Sequence, residues 1–522
     1  EVQVDIRPYQ RPDYQPRQGK EGDCRMKEAL FDIYGYCVFF YSLLLIINYT
    51  VLMFLSFNSQ RKEKTFLSIA YIKKMLSDSP YTPGVSIIAP AYNEEANIID
   101  NVISMLSVDY PKFEVVIVND GSTDSTLDKL IEYFSLVEVP FAYHESVKSA
   151  PVRRVFKSTK PIFEQLTVVD KENGGTKADA SNAGINAAKY PYFIDTDVDC
   201  IIDKYALYRL VWAVLKEKTP VIAISSTMLM VNGCKVENGR MVEPRVSKRP
   251  IPLFQQVEYL RSYLVGKMGW SALNAVNNVS GGFGFFRRDV VVAVGGYDSS
   301  SFAEDMDLIM RMISYMCELN QPYRIPHVAE TTCWTEGPPT LWSLSKQRTR
   351  WARGLMQCMF VHRKLLFNPR YKRLGLITYP FMFMFEFIAP IIELIGYISL
   401  IWFILIGAVN WTTFWVILLM LYTFNEFMLL VICFFSYYVE DPSNRNSKWD
   451  YLWLFIASLF EPIIYHPLIV FFSVKGYFSF LTKRSFKWED IKREGFGKER
   501  LEEEERKRRE RENNDETAVQ PV

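Results

Sequence analysis

Three short stretches carry carboxylates in patterns that could do chemistry. The run FIDTDVD sets Asp195, Asp197 and Asp199 at alternating positions after an apolar run that ends at Ile194. Two carboxylates closing one strand repel each other unless a cation lies between them. Hard oxygen ligands suit Mg2+ or Mn2+, ions that ordinarily bridge to a substrate phosphate. A lone D-x-D is a weak signal, and its register is open between Asp195/Asp197 and Asp197/Asp199. The end of the apolar run selects Asp195 and Asp197 as the expected metal pair. The run VIVNDGSTD places Asp120 after a hydrophobic strand, where a carboxylate can accept hydrogen bonds from a base edge or a ribose. The run FAEDMDLIMR offers Glu304, Asp305 and Asp307. A carboxylate that takes a proton from an attacking hydroxyl must be ionised near neutral pH. Adjacent acids at a helix start are also ordinary N-terminal capping, and taken alone this segment favours that structural role.

Two cationic stretches complement the acids. In NGGTKADASNAG two glycines allow close backbone approach, and Lys177 then opens a helix, a position that suits a phosphate or a nucleobase as well as it suits plain exposure. In SKQRTRWARG, Ser345 to Gly354, three arginines and a lysine surround a glutamine and a tryptophan shortly before a very hydrophobic region. Such a stretch is either a solvated basic face or a site that grips an anionic leaving group. The eight cysteines and four histidines are scattered, without a C-x-x-C pair, which argues against a zinc site, a disulfide framework or a histidine-held metal. A net charge of +1 gives no global basicity for nucleic acid.

The elements that must position these residues can be read from the same chain of 522 residues, long enough for two or three domains. The runs GVSIIAPAY, FEVVIVNDGS and YPYFIDTDVD are short, β-branched and closed by turn residues. Helix-like segments separate them, so a mostly parallel, doubly wound sheet is expected, with ligands beyond the carboxyl ends of its strands. Asn93, Glu94, Asp120, Asp195 and Asp197 fall at those ends. Residues 34–57 carry no charge and can span a bilayer as a helix. Further hydrophobic segments are expected at about 385–408, 412–437 and 451–475, with Glu386 and Glu393 in the first, as a polar lining or as a hydrogen-bonded structural pair. The expected organisation is a loose polar tail at 1–30, a transmembrane helix at 34–57, a catalytic domain at 83–340, interfacial helices at 341–380, a membrane region at 381–481 and a charged tail at 482–522. The chain starts at Glu1 rather than Met, as a processed or engineered form would.

Taken in order, PAYNEE, VNDGSTD, NGGTKADASNAG, DTDVD, SGGFGFFRR, GGYD, FAEDMDL and QRTRW resemble the membrane-integrated family 2 glycosyltransferases, which include cellulose, chitin, hyaluronan and poly-N-acetylglucosamine synthases. The resemblance covers about residues 83–480. It implies a cytosolic glycosyltransferase A-type (Rossmann-like) domain flanked by transmembrane and interfacial helices, a UDP-sugar donor, inversion at the anomeric carbon and a Mg2+ or Mn2+ cofactor. It assigns the donor nucleotide to Pro90, Tyr92, Glu94, Asp120, Lys177, Asp195, Gln347 and Arg350, and the metal to Asp195 and Asp197. It makes Asp305 the general base with Glu304 beside it, and gives the acceptor to Trp351, Gly281 and Gly282; many members carry Ala where Gly282 stands. The implied activity is processive synthesis of a β-linked polysaccharide at its non-reducing end with export through the plasma membrane, the catalytic domain being cytoplasmic and accessory export subunits possible partners. The alternative is a single transfer to a membrane lipid acceptor, as in ceramide glucosyltransferase-like enzymes. The cations at 483–493 favour a cytoplasmic C-terminal tail, whereas three simple spans after residue 374 would put that tail outside. One apolar region must then break parity. The expected one is 450–481, entering and returning at its prolines; an in-plane turn within 374–390 is the alternative.

Overall fold

The computed structural model describes residues 18–63 and 68–482, apart from 238, 408, 410 and 441–445. The described residues up to Thr50 and those from Val51 onward form separate compact units. One helix, Gln18–Glu63, begins inside the segment expected to be a loose tail. Its first turns are rich in Lys, Glu, Met, Ala and Leu, strong helix formers that extend the apolar run backwards. The remainder of the N-terminal tail and the tail from 483 lie outside the described residues.

The second unit is built on a ten-stranded sheet. Its strands are β1 (Val85–Ala91), β2 (Phe113–Asn119), β3 (Leu136–Glu138), β4 (Val152–Ser158), β5 (Leu166–Lys171), β6 (Tyr192–Thr196), β7 (Ile201–Ile202), β8 (Ala223–Met230), β11 (Phe283–Arg287) and β12 (His327–Thr335), with β9 (Lys235–Glu237) and β10 (Arg240–Glu243) forming a separate hairpin. The order is β3-β4-β5-β2-β1-β6-β11-β8-β12-β7. The three strands read from sequence, β1, β2 and β6, are mutually parallel neighbours. Val, Ile and Phe fill β1 and β2 almost without alternation because helices cover both faces of the sheet. The helix Lys177–Ala187 lies close on one face: a side chain at Gly184 would meet Ile88 at 2.2 Å.

The sheet is mixed rather than mostly parallel. β11 runs antiparallel between β6 and β8, and β4 and β7 are antiparallel to their neighbours. The inversion of β11 has a consequence for the site. A parallel strand would bring its carboxyl end beside Asp195 and Asp197; the antiparallel β11 brings its amino end instead, and with it Gly281 and Gly282.

Four helical runs among the described residues are long and apolar enough to cross a membrane: Phe39–Arg61, Leu374–Leu405, Phe414–Val439 and Lys448–Leu481. Leu374–Leu405 and Lys448–Leu481 are longer than the segments read from sequence. The prolines at 462 and 467 do not break the last run. Residues Glu461–Tyr465 adopt a π turn that absorbs the missing donors, and the helix continues to Leu481. The expected reversal within 450–481 is therefore absent. Pro380 and Pro390 sit in a continuous helical run in the same way.

Candidate active site

The carboxyl end of β6 is where the charged motifs meet. Asp195, in β6, is buried, and its Oδ1 accepts a 2.7 Å hydrogen bond from Ser181. Tyr297, from the GGYD turn, also bonds it, and Lys177 Nζ lies 3.6 Å away. Burial pushes the Asp195 carboxyl up, opposed by Lys177. Asp197 is more open and accepts from Lys177 Nζ at 2.7 Å. Lys177 itself follows Thr176, whose side chain caps the helix by accepting from Asp179 N, so the lysine stem is held in the first turn. Its Nζ also donates to the Gly281 carbonyl at 2.5 Å. Burial works against the ammonium, but Asp197 and Asp195 outweigh it and hold its pKa above the usual lysine value.

Gly281 carries the connection to the third motif. Its N–H donates to Asp305 Oδ2 at 3.0 Å, while Oδ1 accepts from Met306 N at 2.8 Å. Asp305 and Glu304 lie in the first turn of the helix Glu304–Glu318. Burial, and then the neighbouring Asp305 carboxylate, push Glu304 up to about 7, with Arg350 and Lys177 pulling the other way. Asp307, the third acid of the run, faces elsewhere. It is buried against His362 (2.7 Å) and Arg311 (2.7 Å) and anchors its helix.

The run QRTRW lies on the helix Leu341–Val361, which opens with a capping box at Thr340 and Ser343. This helix is fixed to the loop before Glu304: Gln357 accepts from Phe302 N at 2.9 Å and donates to Ser300 O at 3.0 Å. A side chain at Gly354 would stand 2.6 Å from Ala303 Cβ. Arg350 therefore faces Glu304, while Trp351 keeps 38% of its surface open. Gln347 Oε1 is buried without a hydrogen-bond partner among the described residues. Of the apolar residues on this helix, Met359 is buried in the core whereas Phe360 is exposed.

Beyond the carboxyl ends of β1 and β2, two loops are latched to each other. Asn93, at φ 54°, accepts from Thr123 N at 2.8 Å and its own N–H donates to Ser122 at 3.1 Å, while Glu94 N donates to Thr126 at 2.9 Å. Pro90 is half-buried at the end of β1, and Tyr92 stands exposed next to it. Asp120 is buried, and one of its oxygens is committed to Lys171 (2.5 Å) and Gly174 N (3.0 Å).

Asp197, Asp199 and Cys200 each offer a ligand atom within 4.8 Å of the other two. Two carboxylates are a hard donor set that fits a divalent cation. Cys200, one of the scattered cysteines, is adjacent, but its thiol donates to the Gly282 carbonyl at 3.3 Å and is therefore engaged as a thiol. Gly282 leaves room: an added Cβ would be 3.4 Å from Met228 Sδ and 3.5 Å from Asp197 Oδ2, ordinary contact distances. Sequence reasoning missed Ser181 and Tyr297 on Asp195, Lys171 under Asp120, and the buried Lys267, which burial pushes down to about 8 against the opposing charges of Asp305 and Glu386. Tyr297 was within reach of the quoted GGYD run; the others carry no local signal.

A mixed sheet of this order, with acids at its central strand ends and a basic helix closing them, is a glycosyltransferase A-type domain. Residues 86–146 match the family model described as Glycosyl transferase family 2, and residues 251–439 the one described as Glycosyl transferase family group 2. Two segments of the chain thus match family 2 glycosyltransferase models, and the chain is a glycosyltransferase. It is similar to the poly-beta-1,6-N-acetyl-D-glucosamine synthase of Staphylococcus epidermidis, 27% identical over 330 residues, covering 63% of this chain and 66% of that protein. It is also similar to the enzyme of that name from Staphylococcus aureus (strain COL), 30% identical over 275 residues, covering 52% and 54%. The chain thus spans between half and two thirds of the length of these relatives. Among solved structures it is similar to a mannosyltransferase of Pyrobaculum calidifontis in complex with GDP-Man and Mn2+ (TM-score 0.44, 17% identity, covering 83% of this chain and 100% of that one). The TarS 1–349 structure from S. aureus in complex with UDP-GlcNAc gives a TM-score of 0.34 at 15% identity, covering 78% and 94%.

Proposed function

We propose that this enzyme builds a β-linked polysaccharide by inverting transfer from a UDP-sugar, adding to the non-reducing end and passing the product through the membrane. The observation that carries the reading is one short chain of contacts. Asp305 is bonded to Gly281, Gly281 to Lys177, and Lys177 to Asp197, so a base and a phosphate-side aspartate face one space at the end of β6. Asp305 takes the proton of the acceptor hydroxyl; the oxygen attacks the anomeric carbon from the face opposite the leaving group, and the bond to the UDP oxygen breaks. Lys177 and Arg350 meet the charge that develops on the departing diphosphate. Asp197 and Asp199 would hold Mg2+ or Mn2+, with Asp195 ordering Lys177 behind them; the ion, when bound, neutralises the diphosphate. Pro90, Tyr92, Glu94, Asp120 and Gln347 line the nucleotide side, and Trp351 with Gly281 and Gly282 supports the acceptor sugar. Glu304 lies beside Asp305 in the first turn of the same helix.

UDP-N-acetylglucosamine is the donor to test first, because the named relatives are synthases of that sugar's polymer. The catalytic domain faces the cytoplasm, where nucleotide sugars are made. Purified protein incubated with a panel of labelled UDP-sugars, followed by product sizing, tests the reading. A polymer is expected. A product carrying one sugar on a lipid refutes polymer synthesis, and no turnover with any UDP-sugar refutes the donor class.

A further inference from the structure

We propose that residues 363–373 form a binding surface for the phosphates of anionic phospholipids, seating the catalytic domain on one leaflet. The sequence pattern is strong. Between Glu336 and Glu386 there is no acidic residue, and nine Lys and Arg. Four of these lie on the helix that carries QRTRW. The other five, Arg363, Lys364, Arg370, Lys372 and Arg373, fall within eleven residues and are all exposed. No carboxylate of the described residues forms an ion pair with any of the five. The acid on the adjoining helix, Glu318, takes its bond from the Tyr371 hydroxyl at 3.1 Å instead. A chain of net charge +1 thus leaves five uncompensated cations on one short connection.

The apolar groups beside them identify the partner. Phe367 stands 67% exposed in the middle of the cations, at φ 53°. A bulky residue held in the left-handed region is strained, and presenting that ring outward has to be supported by the surrounding fold. The support is visible: Leu365, Tyr371 and Leu374 are buried on either side, and Arg373 donates to the Leu273 carbonyl at 2.5 Å. The same connection runs directly into Leu374–Leu405, a helix long and apolar enough to cross a membrane, whose first turn exposes Leu376 and Ile377. A free phosphate or a polyanion calls for the cations alone. Cations ringing an exposed aromatic at the point where a membrane helix starts match a headgroup layer, where phosphates meet the cations and the ring enters the acyl boundary. The surface is also tied to the site, because His362 bonds Asp307 on the helix that begins with Glu304 and Asp305.

The test is native mass spectrometry of the full-length, detergent-solubilised protein titrated with phosphatidylglycerol or phosphatidylcholine. Each cation near an anionic surface contributes about fivefold in affinity, so Arg363→Gln/Lys364→Gln/Lys372→Gln should weaken phosphatidylglycerol binding about 10²-fold and leave phosphatidylcholine unchanged. The charge-preserving Arg363→Lys/Lys364→Arg/Lys372→Arg should keep wild-type affinity. Equal retention of both lipids by the wild type, or displacement of phosphatidylglycerol by inorganic phosphate, overturns the proposal. So does a glutamine variant that binds phosphatidylglycerol within twofold of the wild type, or a charge-preserving variant that loses it.

Discussion

Arg348, the unassigned middle of QRTRW, is expected to be the anchor of the acceptor platform. Its guanidinium reaches Glu258 in two parallel bonds of 2.6 and 2.8 Å, takes in the Tyr465 hydroxyl at 3.1 Å, and lies 4.4 Å over the Trp351 ring. Its side chain is 6% exposed, and that of Glu258 is 27% exposed. Burial disfavours both charges, yet each holds the other ionised: Glu258 stays below the usual carboxylate range and Arg348 above the usual arginine value. Removing one partner of a buried pair costs about 3–5 kcal/mol. The residual exposure of Glu258, and the Tyr465 hydroxyl that still donates to it at 2.7 Å, place Arg348→Met at the low end, about 3 kcal/mol. That is about 10²-fold in a local opening equilibrium, readable as faster amide exchange over residues 341–361. Trp351 then loses its stacked cation and its fixed orientation, so KM for the acceptor should rise with kcat less affected. Glu258→Met added to Arg348→Met removes the stranded carboxylate and should recover most of the exchange protection. Unchanged exchange in Arg348→Met, or a double variant no better than the single, would refute the reasoning.

Asp305→Asn should leave UDP binding by calorimetry intact and reduce transfer by about 10²–10⁴-fold, the usual contribution of a positioned base; turnover like the wild type would remove Asp305 from that role. Burial and Asp305 raise Glu304 to about 7, above the ordinary glutamate value of 4.5. Its contribution to stability is therefore complete below about 4.5 and lost as pH rises through about 7. The melting temperature should fall across that window, and Glu304→Gln should abolish the inflection. Transfer should also stop in excess EDTA, return on adding Mn2+ or Mg2+, and be absent in Asp197→Ala; full activity in EDTA rules out the ion.

What was legible in the sequence is what local pattern controls. The buried parallel strands β1, β2 and β6 announce themselves by β-branched runs, with Glu94 three residues after β1, Asp120 directly after β2 and Asp195 within β6. Lys177 at a helix start and the acids 304–307 at another are also local facts. The antiparallel course of β11 was not legible, because a short aromatic run such as FGFFR carries no direction. Nor were the long-range partners: Glu258 is 90 residues from Arg348, and Tyr297 is 102 residues from the Asp195 it bonds. The metal register shows the limit well. The apolar run that ends at Ile194 selects Asp195 and Asp197 by position; the contacts that Asp195 makes with Ser181, Tyr297 and Lys177, and the proximity of Asp197 to Asp199 and Cys200, come from residues that the run does not contain.

The side on which the C-terminal tail emerges follows from how the last apolar helix lies. At 1.5 Å per residue its 34 residues extend for about 50 Å, well beyond a hydrocarbon core of about 30 Å. A helix crossing upright would leave the catalytic domain within a few turns. This one keeps touching it from end to end. Asp450 is 3.9 Å from Arg245, Glu461 pairs with Arg261, Tyr465 donates to Glu258, and Lys475 donates to Ser345 at 3.3 Å. At Gly476 an added side chain would stand 2.6 Å from the Thr349 carbonyl, and Phe480 stacks on Phe360 at 6.3 Å. The preceding pair behaves differently. Residues 389–405 end in exposed side chains such as Leu405, and the run 411–439 comes back to the domain, where Glu440 accepts from Thr331 N at 3.0 Å. The chain therefore leaves the domain's side once, returns once, and then lies along it. We propose on that ground that the tail after residue 482 emerges on the same side as the catalytic domain, as the cations at 483–493 favour, without a reversal at the prolines. A single cysteine at position 510 in a cysteine-free background should resist an impermeant maleimide in intact cells and react after permeabilisation. Labelling from outside would show that 448–481 crosses the membrane.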